Sequence, residues 1–178
     1  MKNILKIIGG ILLIGAIYIG YMLVNPISPK DTVGFSTEDT TFEVVYSRPY
    51  KKDRLIFGSE ENGALVPFGN YWRTGANAAT TFEASSDILF NGEELKAGKY
   101  ALYTIPNENN WTVVLSSESD VFFAVSQPDT KFDVLKTAVD VSSMESSLEQ
   151  FTIEFSKDST AVNMDLIWDK TMVSISLN

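Results

Sequence analysis

Five segments of this chain alternate apolar and polar residues with a period of two. That period places every second side chain on the same face, which is typical of a β-strand with one buried face. The segments are residues 42–46, 111–115, 151–155, 162–168 and 173–177, and apolar runs at 55–57, 80–84, 88–90, 100–105 and 135–141 predict further strands. Helical periodicity is scarce. Residues 142–148 are expected to form one helical turn, and residues 119–125 fit neither pattern.

Turn signals separate these segments. Asn91-Gly92 is typical of a two-residue hairpin, Ala97-Gly98 precedes the strand at 100–105, and Asp169-Lys170 is expected to join the last two strands. Many short strands with tight connections predict an all-β fold, an antiparallel sandwich of the jelly-roll type.

Residues 7–24 form an uncharged apolar run of 18 residues at the N-terminal end. At ~1.5 Å per residue, this run and the neighbouring residues 4–5 would span roughly 30 Å, the thickness of a bilayer core. A cleaved signal peptide is the alternative, but the run is longer than a signal core and ends without an A-x-A site. We therefore expect one retained transmembrane helix ahead of the β domain. Lys2 and Lys6 precede the run, which predicts a cytoplasmic N-terminus.

This interpretation divides the chain into a transmembrane anchor at residues 1–24, a proline-containing stalk at 25–32 and a single β-sandwich domain at 33–178. The domain would be exported, either to a periplasm or to the cell surface. Lys2 and Lys6 are the charged residues of the anchor, so 12 basic and 23 acidic residues remain, a net charge of −11. The expected partners are therefore the membrane and a ligand of the exported domain.

Composition excludes several kinds of site. The chain has no cysteine and no histidine, so it lacks a thiol nucleophile, a disulfide and a serine–histidine dyad. Its acidic balance argues against nucleic acid, which requires a basic face. No motif with metal-ligand spacing is present, and no metal or other cofactor is expected.

Residues 46–81 do not follow the alternation of a strand. Three arginines occur there in an otherwise acidic chain, at positions 48, 54 and 73, together with Tyr46 and Trp72. Guanidinium groups bind carboxylates and phosphates through paired hydrogen bonds, and aromatic faces accept sugars or cations. The alternative is an internal clamp in which an arginine pairs with a carboxylate of the domain.

The same segment resembles a known family. The matching stretches are YSRP at 46–49, WRTGAN at 72–77, AGKYAL at 97–102, TIP at 104–106, WTV at 111–113 and WDKT at 168–171. They resemble domain-of-unknown-function family 2911, DUF2911, which occurs in exported bacterial proteins, and the resemblance extends over about residues 28–178. It implies no activity. Two positions depart from the family pattern: Ala78 stands where many members have an acid, and Val121-Phe122 where many have Trp-Gly.

Two functions follow as hypotheses. The first is a membrane-tethered module that binds a small molecule, a glycan or a protein, and the second is a hydrolase-type enzyme that uses arginine, asparagine and carboxylates instead of histidine. The candidate ligand-binding residues are Arg73, Arg48, Asn77, Trp72, Tyr46, Arg54 and Thr74. An enzyme should show a cleft with an acid facing Arg73, whereas a purely structural role would leave Arg48 and Arg73 buried in ion pairs with no cavity.

Overall fold

The structure is a computed structural model that describes residues 2–24, 27–119, 126–158 and 161–178. The helix is α1 (Lys2–Val24), and two short 3-10 turns occupy Glu60–Asn62 and Thr130–Phe132. The strands are β1 (Lys30–Ser36), β2 (Thr41–Ser47), β3 (Phe57–Gly58), β4 (Val66–Pro67), β5 (Thr80–Ala84), β6 (Ile88–Phe90), β7 (Glu93–Leu95), β8 (Gly98–Pro106), β9 (Asn110–Ser116), β10 (Asp133–Lys157) and β11 (Val162–Leu177).

Nine strands form one large antiparallel sheet, in the order β1-β2-β5-β8-β9-β10-β11-β6-β7. Strands β3 and β4 pair separately and are parallel. Strand β10 connects the two ends of the sheet, because its first half pairs with β9 and its second half with β11. The mostly β, antiparallel fold predicted from the alternation is confirmed, and the jelly-roll-like sandwich stays a prediction.

The core lies on one face of this sheet. Phe42 of β2 packs against Phe155 of β10 with 6.0 Å between ring centroids, and Tyr46 packs edge-on against Phe151 at 5.6 Å. Because β2 and β10 are four places apart in the sheet, these contacts require the sheet to curve around the core. An aromatic cluster occupies the centre and consists of Phe57, Trp72, Trp111, Phe151 and Trp168.

Three local predictions are corrected by the structure. Residues 142–148, expected to form a helical turn, belong to β10, and Asp169-Lys170, expected to form a turn, lies inside β11. Asp169 has a φ of +54° opposite a register shift in β10, so its turn-like chemistry is that of a bulge. The predicted stalk at 25–32 is too long, because β1 begins at Lys30 and pairs with β2 along its length. Residues 120–125, which include the positions of the Trp-Gly departure, lie outside the described residues.

Helix α1 covers the apolar run from Lys2 to Val24, and the side chains described within it are mostly exposed. Within the part of the chain that the structure describes, no helix has the length and apolarity that crossing a membrane requires. The transmembrane anchor therefore stays a prediction.

We expect Trp168→Ala to lower the free energy of unfolding by about 3–5 kcal/mol, because it empties a buried site inside the aromatic cluster. The Trp168 side chain is 1% exposed and stacks on Trp72 with 5.8 Å between ring centroids. Denaturant unfolding measures the change. Leu89→Ala, at a residue that is 42% exposed, is the control and should stay within about 0.5 kcal/mol. Equal midpoints for the two variants would contradict the central role of Trp168.

Candidate functional site

The WRTGAN segment, residues 72–77, forms a tight loop held against strand β8. The Trp72 and Thr104 main chains exchange two hydrogen bonds, of 2.8 and 2.9 Å. Thr74 and Asn77 have φ values of +53° and +61°, and Gly75 has a φ of +152°. A Cβ at Gly75 would lie 2.9 Å from the main-chain oxygen of Ser47, so the loop can approach β2 this closely only with glycine there. Residues 72–77 lack the apolar–polar alternation of a strand because they form this loop.

Trp72 and Thr74 stabilise the loop from inside. Trp72 is 7% exposed, its indole N–H donates to the Gly75 carbonyl at 3.1 Å, and its ring packs against Trp111 and Trp168. Thr74 is fully buried, its hydroxyl lies 3.1 Å from that of Thr104, and its carbonyl accepts a 2.7 Å hydrogen bond from Thr80. The predicted site residue Thr74 therefore has a structural role.

Arg48 is an internal clamp. Its Nη1 lies 3.1 Å from a carboxylate oxygen of Asp31, its Nε donates to the Phe151 carbonyl at 3.1 Å, and its Nη2 donates to the Thr152 hydroxyl at 2.9 Å. These contacts join the edge strand β1 and the end of β2 to the second half of β10. These are the contacts that the clamp alternative predicts for Arg48.

Tyr46 is also part of the core. It is 2% exposed, and its phenol accepts a 2.9 Å hydrogen bond from the Ile153 amide and donates to the Ile153 carbonyl at 3.3 Å. Burial raises the pKa of the Tyr46 phenol, although the hydrogen bond with Ile153 and the charge of Arg48 act in the opposite direction. This buried, neutral phenol both donates to and accepts from main-chain groups of Ile153, so neither function is left for a ligand.

The other predicted residues line a cavity of about 310 Å³ beside the WRTGAN loop. Trp72 and Trp168 contribute aromatic surface, and Arg73, Arg54 and Asn77 contribute polar surface. The remaining lining residues are Ile27, Ser28, Pro49, Tyr50, Lys52, Leu65, Val66, Gly75 and Ala76. The structure thus brings together four of the seven predicted site residues and leaves Arg48, Tyr46 and Thr74 outside the lining.

Three cationic side chains line this cavity and form no salt bridge with the described residues. Arg73 is half-buried and its Nη1 donates to the Asn77 carbonyl at 2.9 Å, and the exposed Arg54 donates to the carbonyls of Lys51 and Tyr50. The one described carboxylate contact in this group is made by the main chain, where the Lys52 amide donates to a Glu149 carboxylate oxygen at 2.9 Å. The neighbouring Lys51 differs, since its ammonium lies 2.6 Å from the Asp169 carboxylate.

The Lys51–Asp169 pair shows what a counter-ion does to a cation in this region. Partial burial acts to raise the pKa of Asp169, but hydrogen bonds from Lys51 and Ser147 outweigh it and hold this pKa below its usual value. Lys51 is thereby neutralised locally, whereas the charges of Lys52, Arg54 and Arg73 remain available.

No carboxylate is among the cavity-lining residues. Ala78, the position at which the resemblance implies an acid in other members, is exposed and is not part of the lining. Among the described residues, no group of three acidic side chains is placed to hold a metal ion.

Sequence reasoning missed Lys52, Tyr50 and the second role of Trp168. Lys52 and Asp53 both have positive φ values, of +49° and +57°, and this turn directs the chain along the cavity. Asp53 is of a type enriched in left-handed backbone and is a weak local signal for this turn, whereas Lys52 gives none. Trp168, in the alternating segment at 162–168, is a core residue and also belongs to the cavity lining.

Arg48 and Arg73 should respond differently to truncation. We expect Arg48→Ala to reduce the free energy of unfolding by about 1–3 kcal/mol, because it leaves the carbonyl of the fully buried Phe151 without a donor. Arg73→Ala should change it by no more than about 0.5 kcal/mol, as surface substitutions do. Paired denaturant titrations measure both, and a larger loss for Arg73→Ala would show that Arg73 is also a clamp.

A family comparison places these residues within one known family. The family model described as "Protein of unknown function (DUF2911)" matches residues 28–177. The match takes in every described strand, the WRTGAN loop and all of the cavity lining except Ile27. No curated protein and no solved structure matches the chain. Because the match covers most of its length, the chain belongs to the DUF2911 family.

Proposed function

We propose that this chain is a binding protein for a small anionic molecule, which it holds in the cavity beside the WRTGAN loop. One observation carries the proposal: the side chains of Lys52, Arg54 and Arg73 line the same cavity and form no salt bridge with the described residues, in a chain of net charge −9. Because the chain has 23 acidic residues, three cationic side chains left without an ion pair at one cavity favour an anion from outside the chain as their partner.

The dimensions and the walls favour a compact ligand. A volume of about 310 Å³ is at the small end of the range for ligand pockets, roughly 300–1,000 Å³. Trp72 and Trp168 belong to the lining but are only 7% and 1% exposed, so their aromatic contact with a ligand is small, whereas the guanidinium groups suit a carboxylate or a phosphate. Of the ligand classes predicted from the sequence, a small molecule or a single sugar acid fits this cavity better than a protein.

Binding is favoured over hydrolysis by the composition of the lining. General acid–base catalysis requires a titratable group within hydrogen-bond reach of the reacting atoms. The lining offers the hydroxyls of Ser28 and Tyr50 and the side chains of Lys52, Arg54 and Arg73, but no carboxylate. Such a set is suited to hold and orient an anion, and it lacks the carboxylate that the hydrolase hypothesis requires.

We further propose that α1 is a retained transmembrane anchor and that the β domain, with the form of a jelly-roll-like sandwich, is exported on it. The support is the uncharged run at 7–24, the position of Lys2 and Lys6 before it, and the lack of an A-x-A cleavage site. A site for anions would then face an exported compartment.

The binding proposal predicts selectivity for charge. Glucuronate and glycerol 3-phosphate should raise the melting midpoint of the full-length protein in a neutral detergent, whereas glucose and glycerol should not. At a concentration of 100 times Kd the stabilisation would be about 2.7 kcal/mol. Added salt should weaken the effect because the cations are partly exposed.

Two variants test whether the rise in melting midpoint caused by the anionic probes comes from the cavity. Arg73→Gln removes one cavity cation and should abolish the shift, while Lys136→Gln removes one exposed cation on β10 and should leave it unchanged. If neutral and anionic probes act equally, or if both variants respond alike, the cavity is not an anion site.

The anchor proposal predicts that the mature protein keeps residues 1–24 and sediments with membranes. Placing a charge at the centre of a span opposes insertion by about 2.5–3.5 kcal/mol, so Ile14→Arg should shift the protein toward the soluble fraction. Intact mass and membrane fractionation measure the two expectations. A mature N-terminus near residue 25 would contradict the anchor.

A further inference from the structure

Exposed apolar side chains concentrate at the mouth of the cationic cavity. Among the described residues that follow α1, seven large apolar side chains are strongly exposed: Ile27, Tyr50, Leu55, Leu65, Leu89, Val134 and Leu148. Ile27, Tyr50 and Leu65 line the cavity, with exposures of 60%, 37% and 42%. A clustering of this kind marks a surface that meets apolar material.

The main chain of Leu55 lies beside the lining residue Leu65, whose amide donates a 2.9 Å hydrogen bond to the Leu55 carbonyl, and the Leu55 side chain is another strongly exposed apolar group. The cationic wall begins directly beside it, at Arg54. The cavity therefore combines a charged wall and an apolar rim, which is the pattern complementary to an amphiphile with an anionic head. A purely polar anion would leave the apolar rim in water.

The chain also fixes how far this mouth can be from the end of α1. The helix ends at Val24 and Ile27 lines the cavity, so two residues lie between them. Consecutive Cα atoms are ~3.8 Å apart, which limits the distance from Val24 to Ile27 to about 11 Å. The headgroup layer on each side of a bilayer core is roughly 5–8 Å thick. A cavity tethered this closely to a membrane span can reach the lipid headgroups.

We infer that the ligand of this cavity is an anionic phospholipid of the membrane that anchors the chain. Its phosphate binds to Arg73, Arg54 and Lys52, and the first part of an acyl chain lies on Ile27, Leu55 and Leu65. This inference rests on the proposed anion site and on the proposed anchor. An acidic domain is generally expected to be repelled by anionic lipids. These three cations would instead give the membrane-proximal surface a positive charge that anionic lipids attract.

The tryptophans of the chain provide a direct test. All three lie in the β domain, at 72, 111 and 168, and two of them line the cavity. The full-length protein is placed in phosphatidylcholine nanodiscs that contain a minor fraction of a lipid with brominated acyl chains. In one preparation this brominated lipid is phosphatidylglycerol, and in the other it is phosphatidylcholine. Bromine quenches tryptophan emission at short range. The brominated phosphatidylglycerol should quench, and the brominated phosphatidylcholine at the same fraction should not.

Two sets of variants test the contacts to the lipid headgroup and to the acyl chain separately. Arg73→Gln, or the pair Lys52→Gln and Arg54→Gln if the first variant folds poorly, should reduce quenching to the phosphatidylcholine level. Leu65→Ser should weaken quenching, while Leu89→Ser, at a leucine with the same 42% exposure, should not. Each variant is first checked for an unchanged melting midpoint.

The outcomes distinguish this inference from the proposals beneath it. Quenching specific to phosphatidylglycerol and sensitive to Arg73 supports a lipid ligand. Equal quenching by both lipids, or no quenching while glycerol 3-phosphate still stabilises the protein, overturns the lipid inference and leaves the anion site intact. No quenching together with no effect of glycerol 3-phosphate overturns both. Failure of the chain to enter the nanodiscs overturns the anchor and the lipid inference with it.

Discussion

Packing of Trp72 into the aromatic cluster is the constraint on which the candidate site depends. The Trp72 ring contacts Trp111, Trp168 and Phe151, and its main chain is paired with Thr104. The next residue along the chain is Arg73, so the guanidinium is attached to one of the most firmly held points of the domain. A binding group supported in this way loses little conformational entropy when a ligand arrives. Trp72 and Trp168 of this cluster also belong to the cavity lining, so the core and the candidate site share these two rings.

Most of the sheet could be predicted from the sequence, because a strand with one buried face leaves a period of two in the chain. The pattern fails where both faces are exposed, as at residues 142–148, where a run of serines carries no signal for a strand. The candidate site could be located only to a segment. The sequence does not distinguish the role of Arg48 from that of Arg73. In the structure, the pairing of β1 with β2 places Asp31 opposite Tyr46 and within reach of Arg48, and this ion pair is what distinguishes the two arginines.

The distribution of counter-ions has more functional meaning than the net charge. Arg48 and Lys51 are paired with Asp31 and Asp169, and they stabilise contacts between strands. The side chains of Lys52, Arg54 and Arg73 form no described ion pair and line one cavity. A chain can thus be acidic as a whole and present a local cationic surface, because the sign of a site is set by which charges remain uncompensated at short range.

The bulge at Asp169 has a consequence for how the long β10–β11 hairpin finds its alignment. Between residues 142 and 149 the hairpin has little buried surface, so hydrophobic burial alone would allow the two strands to slip past each other. Asp169, with a left-handed backbone and hydrogen bonds to Ser147 and Lys51, fits only one alignment. A hairpin in a shifted register would lose these hydrogen bonds. These interactions act together with the buried residues on either side of the exposed stretch to fix one register of the hairpin.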